Sequence, residues 1–265
     1  MAFLLGRRAY RAVALMQVWL VLSDIQYPFH DPQVMALVES FVKDLKPHGI
    51  VLNGDITDCF EISSYDRNPM SEATLDMEMA LAEGLMTRIG KYAKERWWLG
   101  GNHEDRLRRF LWKQRDAFKQ LGRRATADAM GVLDFARLFR LRDHGFQWKP
   151  YGGTLDLGKL VVTHGMMVRS QSAASARAHF ERLGTSVLIG HTHRMGVYYR
   201  TNVRGMHAAY ENGCLCLMTP EYVQYPDWQH GMSVVHVDTG GWFNVQQVPI
   251  LGRTRFYYGA KGYGT

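Results

Sequence analysis

The chain has 265 residues, 46% hydrophobic and 12% aromatic, enough to bury a full core in one large α/β domain. It carries a formal charge of +7, has no internal repeat or low-complexity stretch, and contains no run of the ~20 apolar residues that a membrane span needs. Its three cysteines, Cys59, Cys214 and Cys216, lack metal-ligand spacing and fit a reducing compartment, so the expectation is a cytoplasmic protein without a membrane partner.

Residues 1–15 read as an N-terminal extension. Gly6, Arg7, Arg8 and Arg11 followed by the apolar stretch 12–22 imitate an arginine-led secretion signal. That stretch ends at Asp24, however, and cleavage after it would destroy the site developed below. Residues 18–22 are therefore better read as the first core strand, and Met16 as an alternative natural start. Four more runs follow the same plan. Residues 18–22 lead into Asp24 and Gln26, and 49–52 into Gly54, Asp55 and Asp58. Residues 96–99 lead into Gly101, Asn102, His103 and Glu104, 159–162 into His164 and Gly165, and 186–189 into Gly190, His191 and His193. Short, continuously apolar runs bounded by glycine predict strands buried on both faces, as in α/β sheets covered by helices. Ligands in such sheets sit beyond the carboxyl ends of the strands, so five of these ends can converge on one crevice. One cluster alone would pass for an ordinary turn; five in series would not.

Between these runs, residues 76–89 predict a connecting helix with Met77, Met79, Leu81, Leu85 and Met86 as core filler. Residues 104–142 predict a helical insertion of two or three helices, with Leu107, Phe110, Leu111, Gln114 and Phe118 on one stripe. This segment holds eleven Lys or Arg against five acids, nearly the whole excess charge of the chain. Such a surface suggests a polyanionic substrate, with Phe110 and Trp112 available for stacking on bases. The plain alternative is that the cations only solvate the outer faces of amphipathic helices. Residues 154–162 predict a hairpin. Residues 196–199, 214–217, 232–237 and 243–250 predict further strands, with Cys214 and Cys216 as packing residues on one strand face. The glycine- and tyrosine-rich residues 251–265 read as a tail, either partly disordered or part of a nucleic-acid surface.

The five polar clusters supply Asp, Asn and His, which are hard or borderline ligands, and no thiolate. A carboxylate shared by two ions lets them activate one water and neutralise a substrate oxygen in the same step. The motif order across about residues 16–250 resembles the calcineurin-like metallophosphoesterase family. The resemblance implies an α/β fold in which two mixed β-sheets pack as a sandwich with helices on both outer faces. It also implies two divalent metal ions, manganese first, with Fe, Zn, Ni and Mg as alternatives. Asp24, Asp55 and His193 would hold one ion, and Asp55, Asn102, His164 and His191 the other. His103 matches the family's catalytic histidine and Asp58 the acid that orients it.

Two departures stand out. Gln26 takes a position that is usually histidine; it is read as a direct or water-mediated ligand, with His30 as a substitute or an incomplete first site as the alternatives. Cys59 takes the place where the serine/threonine protein phosphatases of this superfamily carry a phosphate-gripping arginine, which weakens that assignment. Arg106, Arg67 and Arg169 lie near motif positions and are candidates for touching phosphate. The expected activity is hydrolysis of a phosphodiester, in DNA, RNA or a smaller nucleotide, by a metal-bound hydroxide with His103 as general acid. The alternatives are a phosphomonoesterase, protein phosphatases included, and a nucleic-acid-binding protein whose site has lapsed.

Overall fold

The computed structural model describes residues 16–66, 68–219 and 225–264; the extension 1–15 and Arg67 lie outside them. The chain begins with β1 (Gln17–Leu22), α1 (Pro32–Leu45), β2 (Gly49–Asn53), α2 (Leu75–Gly90) and β3 (Glu95–Leu99). The insertion follows as α3 (Asp105–Lys113), α4 (Arg115–Gln120), α5 (Gly122–Val132) and α6 (Phe135–Leu138). Then come β4 (Gln147–Lys149), β5 (Leu155–Leu157), β6 (Leu160–Thr163), α7 (Ala174–Leu183), β7 (Ser186–Ile189), β8 (Met195–Asn202) and β9 (Gly205–Asn212). The chain closes with β10 (Gly231–Val237), β11 (Phe243–Pro249), β12 (Arg255–Tyr258) and β13 (Lys261–Gly264).

The first large sheet has the order β11-β10-β1-β2-β3-β4 and the second β5-β6-β7-β9-β8. Both are mixed. Strands β1 to β4 run parallel beside antiparallel β10 and β11. In the second sheet β6, β7 and β9 are parallel, with β5 and β8 antiparallel at the edges. Alternation along each strand sends neighbouring side chains to opposite faces. Trp19 and Val21 of β1 and Val51 of β2 join Leu155, Val162 and Leu188 of the second sheet in the layer between the sheets. Leu20, Leu22, Ile50 and Leu52 instead meet Val38, Phe41 and Val42 of α1 and Leu85 of α2. Across the second sheet, Ala176 and Phe180 of α7 cover Val187, Ile189 and Ala209. The expected sandwich with helices on both outer faces is what the chain adopts. No described helix is long and apolar enough to cross a membrane.

Local chemistry sets the helix ends. Asp31 caps α1 by accepting from the amides of Gln33 and Val34 at 3.0 and 3.2 Å, with Pro32 at the first helical position. Thr74 caps α2, which buries Leu85 and Met86 but leaves Met77 exposed, so that methionine is not core filler. The insertion forms four helices rather than two or three, because the stripe through Leu107 and Leu111 breaks at Gln114 and α4 and α5 bury no side chain.

Two other expectations change. Residues 214–217 form no strand of a sheet; Cys214 and Cys216 make isolated bridges to His230 and His30, because the segment's amides alternate between the 24–31 loop and Gln229. The C-terminal residues are no loose tail. Strands β12 and β13 pair as a hairpin, and Phe256 lies fully buried against Phe41 at 5.2 Å between ring centroids. Arg253 also pairs with Asp31, tying this segment to the start of α1. Phe256→Ala should therefore lower the unfolding free energy by about 3–5 kcal/mol, measured by denaturant melting, whereas a dispensable tail would leave the midpoint unchanged.

Candidate metal centre and catalytic cluster

Because β1, β2 and β3 are parallel in one sheet and β6 and β7 in the other, the turns after all five strands open on one edge of the sandwich. Asn53 stitches that edge together. Its amide donates to the Thr163 carbonyl at 3.0 Å, and its own carbonyl accepts from His164 Nδ1 at 2.8 Å. A carbonyl can only accept, so the His164 proton sits on Nδ1 and the lone pair of Nε2 points into the crevice. There Nε2 lies 3.2 Å from Asp55 Oδ2 and 3.2 Å from Asn102 Oδ1. Atoms of this kind facing one another are held together by a proton on Nε2 or by a metal cation in its place. Asp55, His164 and His191 offer ligand atoms within 4.8 Å of one another.

A second group adjoins the first. His193 Nε2 lies 3.2 Å from Asp24 Oδ1 and 3.3 Å from the Gln26 side-chain amide, and a half-turn of that amide exchanges its nitrogen for its oxygen. The backbone N–H of His191 donates to both Asp24 oxygens at 3.1 and 3.0 Å. His30 is turned elsewhere: its Nδ1 bonds the Pro28 carbonyl at 3.1 Å and its ring packs on Tyr27. The donor set of carboxylates, amide oxygens and imidazoles suits hard or borderline divalent ions, so these residues fit the metal pair that the sequence implies.

His103 and Asp58 lie beside this group. His103 Nδ1 is 3.3 Å from Asp58 Oδ2, and Nε2 is 3.6 Å from Asp55 Oδ2. Arg106 donates to Asp58 Oδ1 at 2.6 Å and to the Asp58 carbonyl at 2.7 Å, and its Nη2 comes within 3.4 Å of His103 Nε2. Arg169 does not join them; it is exposed, and its guanidinium donates to the Val168 carbonyl.

Electrostatics follow the packing. Burial alone would raise the Asp55 carboxyl, but His103 and His164 outweigh it and hold the group well below the usual range. Burial opposes charge on His164, yet Asp55 raises it to about 9. Burial and the neighbouring His164 bring His191 down to about 4, leaving a neutral imidazole. Burial would lower His103, but the carboxylates of Asp55 and Asp58 raise it. Cys59 is fully buried, and desolvation pushes its thiol well above the usual value, so it presents nothing to an anion.

The roles of two contributors show only in the structure. Glu104, buried in the catalytic loop, accepts from the amides of Asp55, Ile56, Thr57 and Gly101 at 2.9, 2.7, 3.3 and 2.7 Å. Burial and the Asp55 charge push its carboxyl up, while these donors pull the other way. Cys216 Sγ stands 3.7 Å from His193 Nδ1, with Cys214 in the same buried group. The backbone is forced as well. Of the eleven non-glycine residues with positive φ among those described, Asp24, Gln26, Asp55, Cys59, His191 and His193 belong to the motif turns. Such conformations cost about 1–3 kcal/mol each and persist only where surrounding bonds impose them. Glu104→Gln, which turns an NH2 toward backbone donors, should lower the unfolding free energy by about 2–3 kcal/mol in a denaturant titration; an unchanged midpoint would mean the clamp is dispensable.

Residues 19–195 match the calcineurin-like phosphoesterase family. The gene 54 protein of Mycobacterium phage D29 is 29% identical over 252 residues, covering 88% of this chain and 93% of the relative. The gene 54 protein of Mycobacterium phage L5 is 26% identical over 247 residues, with the same two coverages. Vacuolar protein sorting 29 from Cryptosporidium parvum aligns with a TM-score of 0.45 at 11% identity, over 89% of this chain and 98% of that one.

Proposed function

The chain belongs to the calcineurin-like phosphoesterase family, a family of phosphoric ester hydrolases, and from that premise we propose a binuclear metal-dependent phosphodiesterase acting on nucleic acid or nucleotides. The observation that carries this reading is the convergence of Asp55 Oδ2, Asn102 Oδ1 and His164 Nε2, three acceptors held 3.2 Å apart about the histidine nitrogen. Asp24, Gln26, Asp55 and His193 would hold one ion, and Asp55, Asn102, His164 and His191 the other. When bound, such a pair activates a water and neutralises a phosphate oxygen; manganese fits the oxygen-rich donors, with Fe, Zn, Ni and Mg as alternatives.

The protein's own groups supply the rest. Asp58 accepts from His103 Nδ1, fixes the ring, and leaves Nε2 toward the crevice to protonate the departing ester oxygen. Arg106 gives its Nη1 to Asp58, and its Nη2 beside His103 Nε2 can meet one phosphate oxygen. With Cys59 buried where an arginine fork would stand, the anion-gripping groups suit the single charge of a diester better than the dianion of a monoester. The basic insertion beginning directly after His103 supports a polyanionic substrate.

Manganese-loaded protein should cleave bis-p-nitrophenyl phosphate and labelled single-stranded DNA. Cleavage of p-nitrophenyl phosphate alone would favour a monoesterase, and DNA retention without turnover a binding protein. His103→Ala should reduce turnover by about 100-fold or more, a typical contribution of general acid catalysis, and undiminished turnover would remove the histidine from the mechanism. Gln26→His should tighten manganese binding by about tenfold in calorimetric titration; no change would take Gln26 out of the coordination sphere.

A further inference from the structure

The insertion contains two helices whose apolar sides are only partly covered, Phe118 and Met130 lying half-buried against the core. Helices α4 and α5 bury none of their residues, although they carry Phe118 and Met130. With the end of α3 they enclose a trough of about 720 Å³ in which Trp112, Phe118 and Met130 meet Arg115, Lys119 and Arg123, and no acidic residue lines it. Asp116 lies close to Arg115 and Lys119, at 3.5 and 3.8 Å, but these are solvent-exposed pairs of little worth. Trp112 is 57% exposed and carries the Arg108 guanidinium 4.3 Å over its ring, an aromatic plane already stacked with a cation.

The trough also leads somewhere. A second cavity of about 220 Å³ shares Leu111, Trp112 and Met130 with it and runs on past Arg108 and Asp134 to Glu104, Asp105 and Tyr151. Asp105 follows the catalytic loop directly, and the Tyr151 ring lies 6.4 Å from that of His164. The second cavity thus ends beside the loop that carries Asn102 and His103, without any of the proposed metal ligands in its lining.

We propose that this trough is the binding track for a single-stranded polynucleotide whose scissile phosphate lies at the metal centre, an inference that rests on the phosphodiesterase reading above. Bases stack on Trp112 and the neighbouring aromatic surface while Arg115, Lys119 and Arg123 follow the phosphates, the combination used by grooves that hold single strands without reading sequence. An acidic protein helix would match the same charge, but it would have no need of a groove that leads toward the loop of Asn102 and His103. That continuity decides for the substrate.

The test is fluorescence anisotropy of a labelled mixed-sequence oligodeoxynucleotide across a salt series, in a His103→Ala background that keeps the strand intact. The triple change Arg115→Glu, Lys119→Glu, Arg123→Glu should weaken binding by about tenfold or more. It should also flatten the slope of log affinity against log salt by about 2, as expected for three phosphates released from a single strand. Trp112→Ala should weaken binding by about tenfold with the slope retained, since a stacked base contributes about 1–3 kcal/mol. With His103 intact, both sets should cleave bis-p-nitrophenyl phosphate like the parent. Unchanged affinity and slope in the triple variant would overturn the proposal, as would retention of an acidic amphipathic peptide but not of the oligonucleotide. Absence of diester cleavage in the parent protein would instead overturn the phosphodiesterase reading, and the two failures are separately visible.

Discussion

The geometry of the crevice depends on one buried carboxylate that touches no substrate. Glu104 draws together the amides that follow β2 and the amide of Gly101 after β3, so the two turns behave as one rigid piece. Asp55 sits at the centre of that piece, its Oδ1 accepting the backbone N–H of His103 at 2.9 Å while Oδ2 faces the histidines. Without the clamp, the Asp55 charge and the left-handed backbone at this turn would both relax toward solvent. The main chain thus holds the Asp55 carboxylate against His103 and His164, where a positive charge is what stabilises it.

Steric fit enforces the same arrangement. A Cβ on Gly101 would come 2.1 Å from Asp55 Oδ1, and one on Gly54, whose φ is +82, would come 2.3 Å from His164 Nδ1. The glycines beside the ligands are there because the turns approach each other too closely for any side chain. The two sheets supply the stiffness behind this, since β1, β2 and β7 are apolar on both faces and cannot shift without exposing one of them.

That double burial is also why so much was readable from the sequence. A strand covered on both sides must be continuously apolar, so the polar residues at its end stand out, as Asp24 does after β1, Asp55 after β2 and His191 and His193 after β7, whereas β3, before Asn102 and His103, is only half-buried over its first three residues. Glu104 was in plain view but its role was not, because its partners are main-chain amides of another turn and leave no side-chain signature. Cys216 reaches His193 only through the crossing of two irregular segments, where period-2 patterning suggested a strand. Strand β9 alternates small, aromatic and polar residues and has no apolar run to announce it. Glycine and tyrosine in the last residues suggested looseness, whereas the rings of Phe256, Tyr258 and Tyr263 gather around Phe41.

The proposed chemistry requires two cations sharing Asp55. A crystal grown with manganese and measured at a wavelength where that metal scatters anomalously tests this directly. Two anomalous peaks about 3.5–4 Å apart, both within bonding distance of Asp55 and divided between the Asp24–His193 and the Asn102–His164–His191 sides, are the predicted result. A single peak away from Asp55, or none at saturating metal, would contradict it.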